Sequence, residues 1–154
     1  MTAPGMAGGS VFDVSFGADG VAYLALRGYG VQAWYTGGFD WAHLSDLAGD
    51  GWNTLVEPGD LASKELYAVE NGSDGAVWVG TASGLVRWKM GAIDSFTVKK
   101  NPGGQGLIGA AVFDLEFDGA ENLWVSTEQG WMRRHIDELR RGPAFLDGKP
   151  YQPN

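Results

Sequence analysis

Three stretches of the chain align with one another and constrain the fold more than any other feature. They begin at Val11, Leu66 and Val112, and each holds an alternating apolar run, a polar turn, an aromatic-centred run and a run that begins with glycine. The central aromatic residues and the glycines that follow them stand in register: Tyr23, Trp78 and Trp124, and then Gly30, Gly84 and Gly130. The aromatic residues are 55 and 46 positions apart, in the range of propeller blades. The sequence therefore predicts three copies of one small β unit.

Each repeat divides into four short predicted strands. In the second repeat the predicted strands cover about 65–71, 76–82, 84–90 and 94–100. Apolar residues alternate along these runs as they do in strands that bury one face, and Asp74-Gly75 is typical of a hairpin turn. In the third repeat "WMRRHIDELRR" also fits a helix, but its alignment with the second repeat favours a strand that ends near Ile136.

The predicted fold class is all-β, with three four-stranded antiparallel β-propeller blades. We expect a flexible leader over 1–10 and one domain over 11–154. Within that domain the predicted parts are blade 1 at about 11–46, an insert at 47–64, blade 2 at about 65–100 and blade 3 at about 111–148. Known propellers close with about four to eight blades. Three blades therefore predict a homodimer that closes a six-bladed ring, further blades of a longer chain, or an open array.

The distribution of charge favours the homodimer among these arrangements. Residues 1–63 hold seven acids and one base, whereas residues 131–154 hold five bases and three acids. Two chains joined head to tail would bring the acidic first blade of one chain against the basic last blade of the other.

Composition excludes several classes of function. A net charge of −8 argues against binding to nucleic acid, and no apolar run is long enough to insert into a membrane. The absence of cysteine excludes disulfides, thiolate metal sites and a cysteine nucleophile. The two histidines, His43 and His135, lie in different repeats, so neither a metal site nor a cofactor is expected. The opening "MTAPGMAGGS" lacks the pattern of a signal peptide.

The repeat resembles that of the two-component-regulator propellers, whose core is Asp-Gly-x-Leu-Trp-Ile-Gly-Thr…Gly-Leu-x-Arg. The second repeat matches this core at Asp74-Gly75, Trp78, Gly80-Thr81, Gly84-Leu85 and Arg87. The third matches at Asn122-Leu123-Trp124, Ser126-Thr127 and Gly130 but lacks the Asp-Gly turn in register, and the first repeat is the most diverged. The streptogramin-lyase propeller repeat is similar as well. The resemblance implies a sensor domain in the periplasm or outside the cell.

A ligand-binding face is predicted where the second-to-third strand loops meet the links between blades. The residues expected there are Arg27, Tyr29, Asp50, Trp52, Asn53, Ser83, Glu128 and Gln129. A tryptophan beside carboxylates and an arginine suits a sugar or another small polar ligand. The alternative is that Trp52 only covers the gap between two blades.

The predicted ligand-binding face favours a non-catalytic binding or sensing module that recognises a small polar ligand, a glycan or a protein partner. One alternative is a lyase or glycan-active enzyme, for which Glu128, Asp50 and Glu57 are the acid–base groups. Another is a structural protein that self-assembles through its blades.

Other recurrent residues are expected to have structural roles. Trp78 and Trp124 are predicted between neighbouring sheets, and the third-strand tryptophans are predicted to pack blade against blade: Trp34, Trp88 and Trp131. Asp13 and Asp114 occupy equivalent positions on first strands and are predicted to line a solvated central channel, with a cation-binding ring of acids as the alternative.

Overall fold

A computed structural model of the chain describes residues 10–17, 20–35, 52–56, 61, 63–97 and 107–137, and in 52–56 it describes the backbone alone. The described strands are β1 Val11–Phe16, β2 Val21–Leu26, β3 Gly30–Tyr35, β4 Trp52–Val56, β5 Leu66–Asn71, β6 Val77–Thr81, β7 Gly84–Lys89, β8 Ala92–Phe96, β9 Val112–Phe117, β10 Asn122–Thr127 and β11 Gly130–His135. The all-β prediction is confirmed. Within these ranges no helix is long and apolar enough to cross a membrane.

The strands form three antiparallel sheets in chain order. Sheet 1 has the order β1-β2-β3-β4, sheet 2 the order β5-β6-β7-β8, and sheet 3 the order β9-β10-β11. The first strands lie side by side, with β5 in contact with both β1 and β9. Hydrogen bonds join β5 to β1: the Val69 N–H donates to the Asp13 carboxylate at 2.9 Å, and the Asn71 amide donates to the Ser15 hydroxyl at 2.8 Å. The sheets are therefore successive propeller-type blades with the first strand innermost.

The structure differs from the sequence prediction in the segment 47–64. There β4, Trp52–Val56, pairs with β3 and completes sheet 1 as its outer strand, whereas the sequence predicted an inserted loop after residue 46. The run "WNTLV" holds residue types that are enriched in strands, tryptophan, threonine and valine, but it does not alternate in polarity and turn-forming residues flank it closely in "GDG" and "PGD". A five-residue outer strand between two turn signals resembles a loop in the sequence. The predicted leader, and the part of blade 3 after residue 137, lie outside the described residues.

All three inner strands carry the same β-bulge. In sheet 1, Val11 pairs with Leu26 and Asp13 pairs with Ala25, so that Phe12 is the extra residue. Tyr67 and Phe113 are skipped in the same way in sheets 2 and 3. A bulge adds one residue to a strand, bends the strand and redirects a side chain. The fold therefore places an aromatic residue outside the regular ladder at the start of each inner strand.

The first three strands of sheet 2 bury apolar residues on both faces. Toward sheet 1 its valines join one apolar cluster: Val69, Val77, Val79 and Val86, with Tyr23, Ala25 and Val31 of sheet 1. Toward sheet 3 it contributes Ala68, Trp78, Leu85 and Phe96 to a cluster with Val112, Leu115, Leu123, Val125 and Met132. Trp78 is fully buried and Trp88 packs against the first cluster, so the roles predicted for these two tryptophans are confirmed.

The glycine of the Gly-Thr motif allows close packing between sheets, and the threonine stabilises a turn. A Cβ on Gly80 would lie 2.7 Å from the Val112 carbonyl oxygen, so glycine allows sheet 3 to approach sheet 2 at this point. The Thr81 hydroxyl donates to the Gly84 carbonyl at 2.9 Å and accepts from the Ser83 N–H at 3.2 Å. The hydroxyl of Thr127 makes the same two bonds in sheet 3. The motif therefore shapes the turn between the second and third strands.

The turn between β7 and β8 holds Met90 in a left-handed backbone conformation. Met90 and Gly91 have φ angles of 49° and 84°, a pair of positive values that suits Asn-Gly. Because a left-handed conformation costs most side chains about 1–2 kcal/mol, we expect Met90→Asn to raise the free energy of unfolding by about 0.5–1 kcal/mol in urea denaturation. Met90→Ala, which keeps the strain, is the control. Equal stability of the two variants would contradict this explanation.

Candidate functional site

One edge of the blades gathers the second-to-third strand turns and the links between sheets. The Gly28 N–H, in the turn of sheet 1, donates to the Lys64 carbonyl at 2.9 Å. The Ala82 N–H, in the turn of sheet 2, donates to the Glu65 carbonyl at 2.9 Å. The link into sheet 2 therefore lies between two turns and ties them together. We call this edge, formed by residues 27–29, 63–65, 82–83, 107–111 and 128–129, the loop face.

The loop face brings some of the predicted site residues together. The guanidinium Nε of Arg27 lies 2.6 Å from the Glu65 carboxylate, and both side chains are substantially exposed. Tyr29, two residues further along the same turn, is 47% exposed. Ser83 is exposed in the neighbouring turn. Glu65 was not among the predicted residues, although it supplies the charge that holds Arg27.

The Glu128 carboxylate is engaged in hydrogen bonds to the backbone. Its two carboxylate oxygens accept hydrogen bonds from the backbone N–H groups of Ala110 and Ala111, both at 2.8 Å. Desolvation raises the pKa of this carboxyl, but backbone hydrogen bonds from Ala110, Glu128 itself and Ala111 lower it below its ordinary value. The carboxylate thus anchors the link into sheet 3. Gln129, beside it, is exposed.

The remaining predicted site residues are not brought to this place by the described structure. Trp52 and Asn53 lie in β4, the outer strand of sheet 1, rather than in a loop. Asp50 and Glu57 lie outside the described residues, and so does His43. The predicted ligand set therefore separates into the Arg27–Tyr29–Ser83 part, the Glu128–Gln129 part and an outer strand.

An aromatic row runs across the inner strands next to the loop face. The Tyr67 ring lies 6.3 Å from the Phe12 ring, edge-on at 76°, and 5.3 Å from the Phe113 ring at 53°, measured between centroids. Phe12 and Phe113 are 44% and 47% exposed. These are the bulge residues, at the ends of the inner strands where the links enter. They were not among the predicted site residues, although an aromatic residue stands second in each repeat.

Four carboxyl groups lie further along the inner strands. Burial, followed by the charges of Glu116, Asp13 and Asp114, raises the pKa of Glu70 from 4.5 to about 7. Asp13 and Asp114 lie on the inner strands β1 and β9, and their place in a central channel stays a prediction. Within the described residues, no group of three or more acidic or histidine side chains could hold a metal ion.

Glu70 makes the stability of the fold depend on pH. Between pH 4.5 and about 7 the folded chain binds more protons at Glu70 than the unfolded chain does, so the free energy of unfolding falls as pH rises through this interval. We expect the wild type to lose more stability than Glu70→Gln between about pH 5 and about pH 8 in urea denaturation. An equal loss in both proteins would show that Glu70 does not carry this dependence.

Sheet 3 ends the described array and departs from the prediction for its third-strand tryptophan. Trp131 is 65% exposed and lies against Trp124 of its own sheet, with centroids 5.0 Å apart. Arg133 stands over the Trp124 ring at 5.5 Å. The Trp124 N–H donates to Asp118 at 2.8 Å, and this bond, first among several, lowers the pKa of Asp118 to about 2. Trp131 does not pack against another blade because no further sheet follows among the described residues.

Comparisons with known proteins bear on the fold. No family model and no curated protein sequence matches the chain. The extracellular domain of the hybrid two-component system BT4673 from B. thetaiotaomicron aligns with a TM-score of 0.64 at 12% identity, over 86% of this chain and 16% of that one. That of BT3049 from the same organism aligns with a TM-score of 0.57 at 16% identity, over 88% and 15%. A streptogramin B lyase aligns more loosely, with a TM-score of 0.36 at 9% identity, over 84% and 55%.

These similarities agree with the resemblance found in the repeats. The matched structures include extracellular domains of two-component systems, the kind of protein that the motif indicated. The chain spans about a sixth of the length of the two extracellular domains. It has the all-β, propeller-type fold that these domains share.

Proposed function

We propose that the chain is a non-catalytic binding or sensing module that recognises its ligand through the loop face and the adjoining aromatic row. The observation that carries the proposal is the half-exposed row of Phe12, Tyr67 and Phe113 beside the exposed Arg27 and Tyr29. Because two of the matched structures are extracellular domains of two-component systems, we propose that this module also works outside the cytoplasm. Function inferred from a shared fold is an analogy, so the site carries the argument.

The chemistry of this surface suits a ligand with both polar and apolar faces. Aromatic rings offer flat apolar area at little cost in side-chain entropy, and a tyrosine adds a hydroxyl group. The Arg27–Glu65 pair presents charged donors and acceptors next to that area. A glycan is the ligand class that uses both features, through its ring faces and its hydroxyl groups. The other ligand classes that the sequence predicts are small polar molecules and protein partners.

The described part of the loop face supports binding more than catalysis. An acid–base enzyme needs a titratable group poised near the working pH and within reach of the reacting atoms. Glu128 is instead held by two backbone N–H groups and has a lowered pKa. Such a carboxylate stays ionised and fixes the shape of a loop.

The test is a screen of oligosaccharides, amino acids and short peptides by thermal shift, followed by calorimetry on each compound that binds. We expect Phe113→Ala and Tyr29→Ala each to weaken binding at least tenfold, about 1.4 kcal/mol. Met90→Ala is the control, because Met90 is 90% exposed and lies in the β7–β8 turn. This variant should bind as the wild type does.

Two outcomes would replace the proposal. Conversion of a bound compound, lost on Glu128→Gln while binding remains, would establish the enzyme alternative. Binding that is unchanged in both aromatic variants, with folding verified by circular dichroism, would place the ligand away from the loop face.

A further inference from the structure

The first face of sheet 1 exposes positions that the other sheets bury. By strand pairing, the equivalent positions along the inner strands are Val11, Val14 and Phe16 in sheet 1, Leu66, Val69 and Asn71 in sheet 2, and Val112, Leu115 and Phe117 in sheet 3. Leu66, Val69, Val112 and Leu115 are at most 2% exposed because they pack against the preceding sheet. Val11, Val14 and Phe16 are 42%, 44% and 58% exposed. We call this surface the leading face.

The last face of sheet 3 shows the complementary exposure. Trp78 and Leu85 of sheet 2 point toward the following sheet and are at most 1% exposed. The equivalent residues of sheet 3 are Trp124, which is only half-buried, and Trp131, which is 65% exposed. This surface, formed by Trp124, Trp131 and Arg133, is the trailing face. The leading and trailing faces are the two halves of one interface that the chain builds twice internally.

We propose that the trailing face of one chain binds the leading face of a second copy of the chain. The first argument is continuity: sheets 1 and 2, and sheets 2 and 3, already join through this same pair of faces. The second is charge: the trailing face carries Arg133, and the sequence is acidic over 1–63, with seven acids and one base, but basic over 131–154, with five bases and three acids. The third is that exposed apolar patches on soluble proteins mark interaction surfaces.

The number of blades in two chains is enough to close a ring. Because the contact joins two different faces, it generates a ring if the rotation closes and a filament if it does not. Two chains of three blades give six, inside the range of about four to eight at which propellers close. A dimer therefore uses all four end faces.

The experiment measures solution mass by light scattering after size exclusion on the full chain and on two variants. Phe16→Glu places a charge on the leading face alone, and Trp131→Glu does so on the trailing face alone. We expect the wild type at twice the chain mass of 16.4 kDa and each variant at the monomer mass. An equimolar mixture of the variants retains one intact leading and one intact trailing face, so a heterodimer joined through that contact should reappear, weaker than the wild-type dimer because its second contact holds both substitutions. Val14→Lys can replace Phe16→Glu if the latter does not fold.

The controls separate a specific dimer from other associations. Met90→Ala changes an exposed apolar residue off both faces and should remain dimeric. The wild-type dimer should weaken at high salt, where charge attraction is screened. A monomeric wild type would overturn the proposal and assign the faces to further blades of a longer chain. A dimer that persists in both variants, or a mixture that stays monomeric, would also overturn it.

Discussion

Replacing Trp78 by alanine is expected to lower the free energy of unfolding by about 3–5 kcal/mol, the range for truncation of a large buried aromatic residue. Trp78 is fully buried between sheets 2 and 3, with its ring centroid 5.9 Å from that of Phe96 and 6.3 Å from that of Phe117. The substitution would leave a cavity between two blades, where Arg87 also stands over the indole ring at 5.8 Å. It therefore acts on the attachment of the third blade as well as on the core of the second.

Urea denaturation at fixed protein concentration measures this effect, and two variants serve as controls. Trp78→Phe keeps an aromatic ring and removes an indole N–H that has no hydrogen-bond partner among the described residues, so we expect it to cost much less than alanine. Met90→Ala truncates a residue that is 90% exposed and should leave stability unchanged. A loss below about 1 kcal/mol in Trp78→Ala would mean that the two sheets do not pack through this residue.

Gly84→Ala is expected to lower the free energy of unfolding by about 3 kcal/mol or more, through backbone strain together with a clash. Gly84 has φ +147°, and a Cβ there would lie 2.5 Å from the Phe96 carbonyl oxygen in the next strand. Gly130 occupies the same place in sheet 3 with φ +119°, but the nearest atom to its Cβ would be 3.9 Å away, on Ile108. Gly130→Ala should therefore show the strain alone, about 1–2 kcal/mol.

The comparison of the two alanine variants separates strain from steric exclusion. Both are measured by urea denaturation, and the difference between them is the quantity of interest. Equal losses would show that the Phe96 carbonyl yields to the new methyl group and that only the backbone angle fixes glycine at the start of third strands.

The sequence predicted the inner three strands of the second repeat well because turns delimit them on both sides. The predicted strands cover 65–71, 76–82 and 84–90. Each of their ends lies within one residue of the corresponding end of β5, β6 or β7. The third-repeat strand predicted to end near Ile136 ends at His135. The outer strands were harder. β8 covers Ala92–Phe96 rather than 94–100, and β4 lies where the sequence predicts a loop, because an outer strand packs on fewer neighbours and its pattern is weaker.

The candidate site was predictable only in part, since much of it depends on how the sheets meet. The turn residues Arg27, Tyr29 and Ser83 follow from the strand order, and the structure places them on one edge. Glu65 pairs with Arg27 from the neighbouring sheet, a contact that no local pattern encodes. The aromatic row depends on bulges, which shift the ladder by one residue and so escape an analysis of simple alternation.

Nuclear Overhauser contacts of the Tyr67 ring protons test the aromatic row, on which both the order of the blades and the proposed site depend. We expect contacts from Tyr67 to Phe12 on one side and to Phe113 on the other, with centroids 6.3 Å and 5.3 Å away. Isotope labelling of phenylalanine and tyrosine, with Phe12→Leu and Phe113→Leu to assign the signals, makes each contact identifiable. Absence of either contact in the folded chain would contradict the arrangement of the three inner strands.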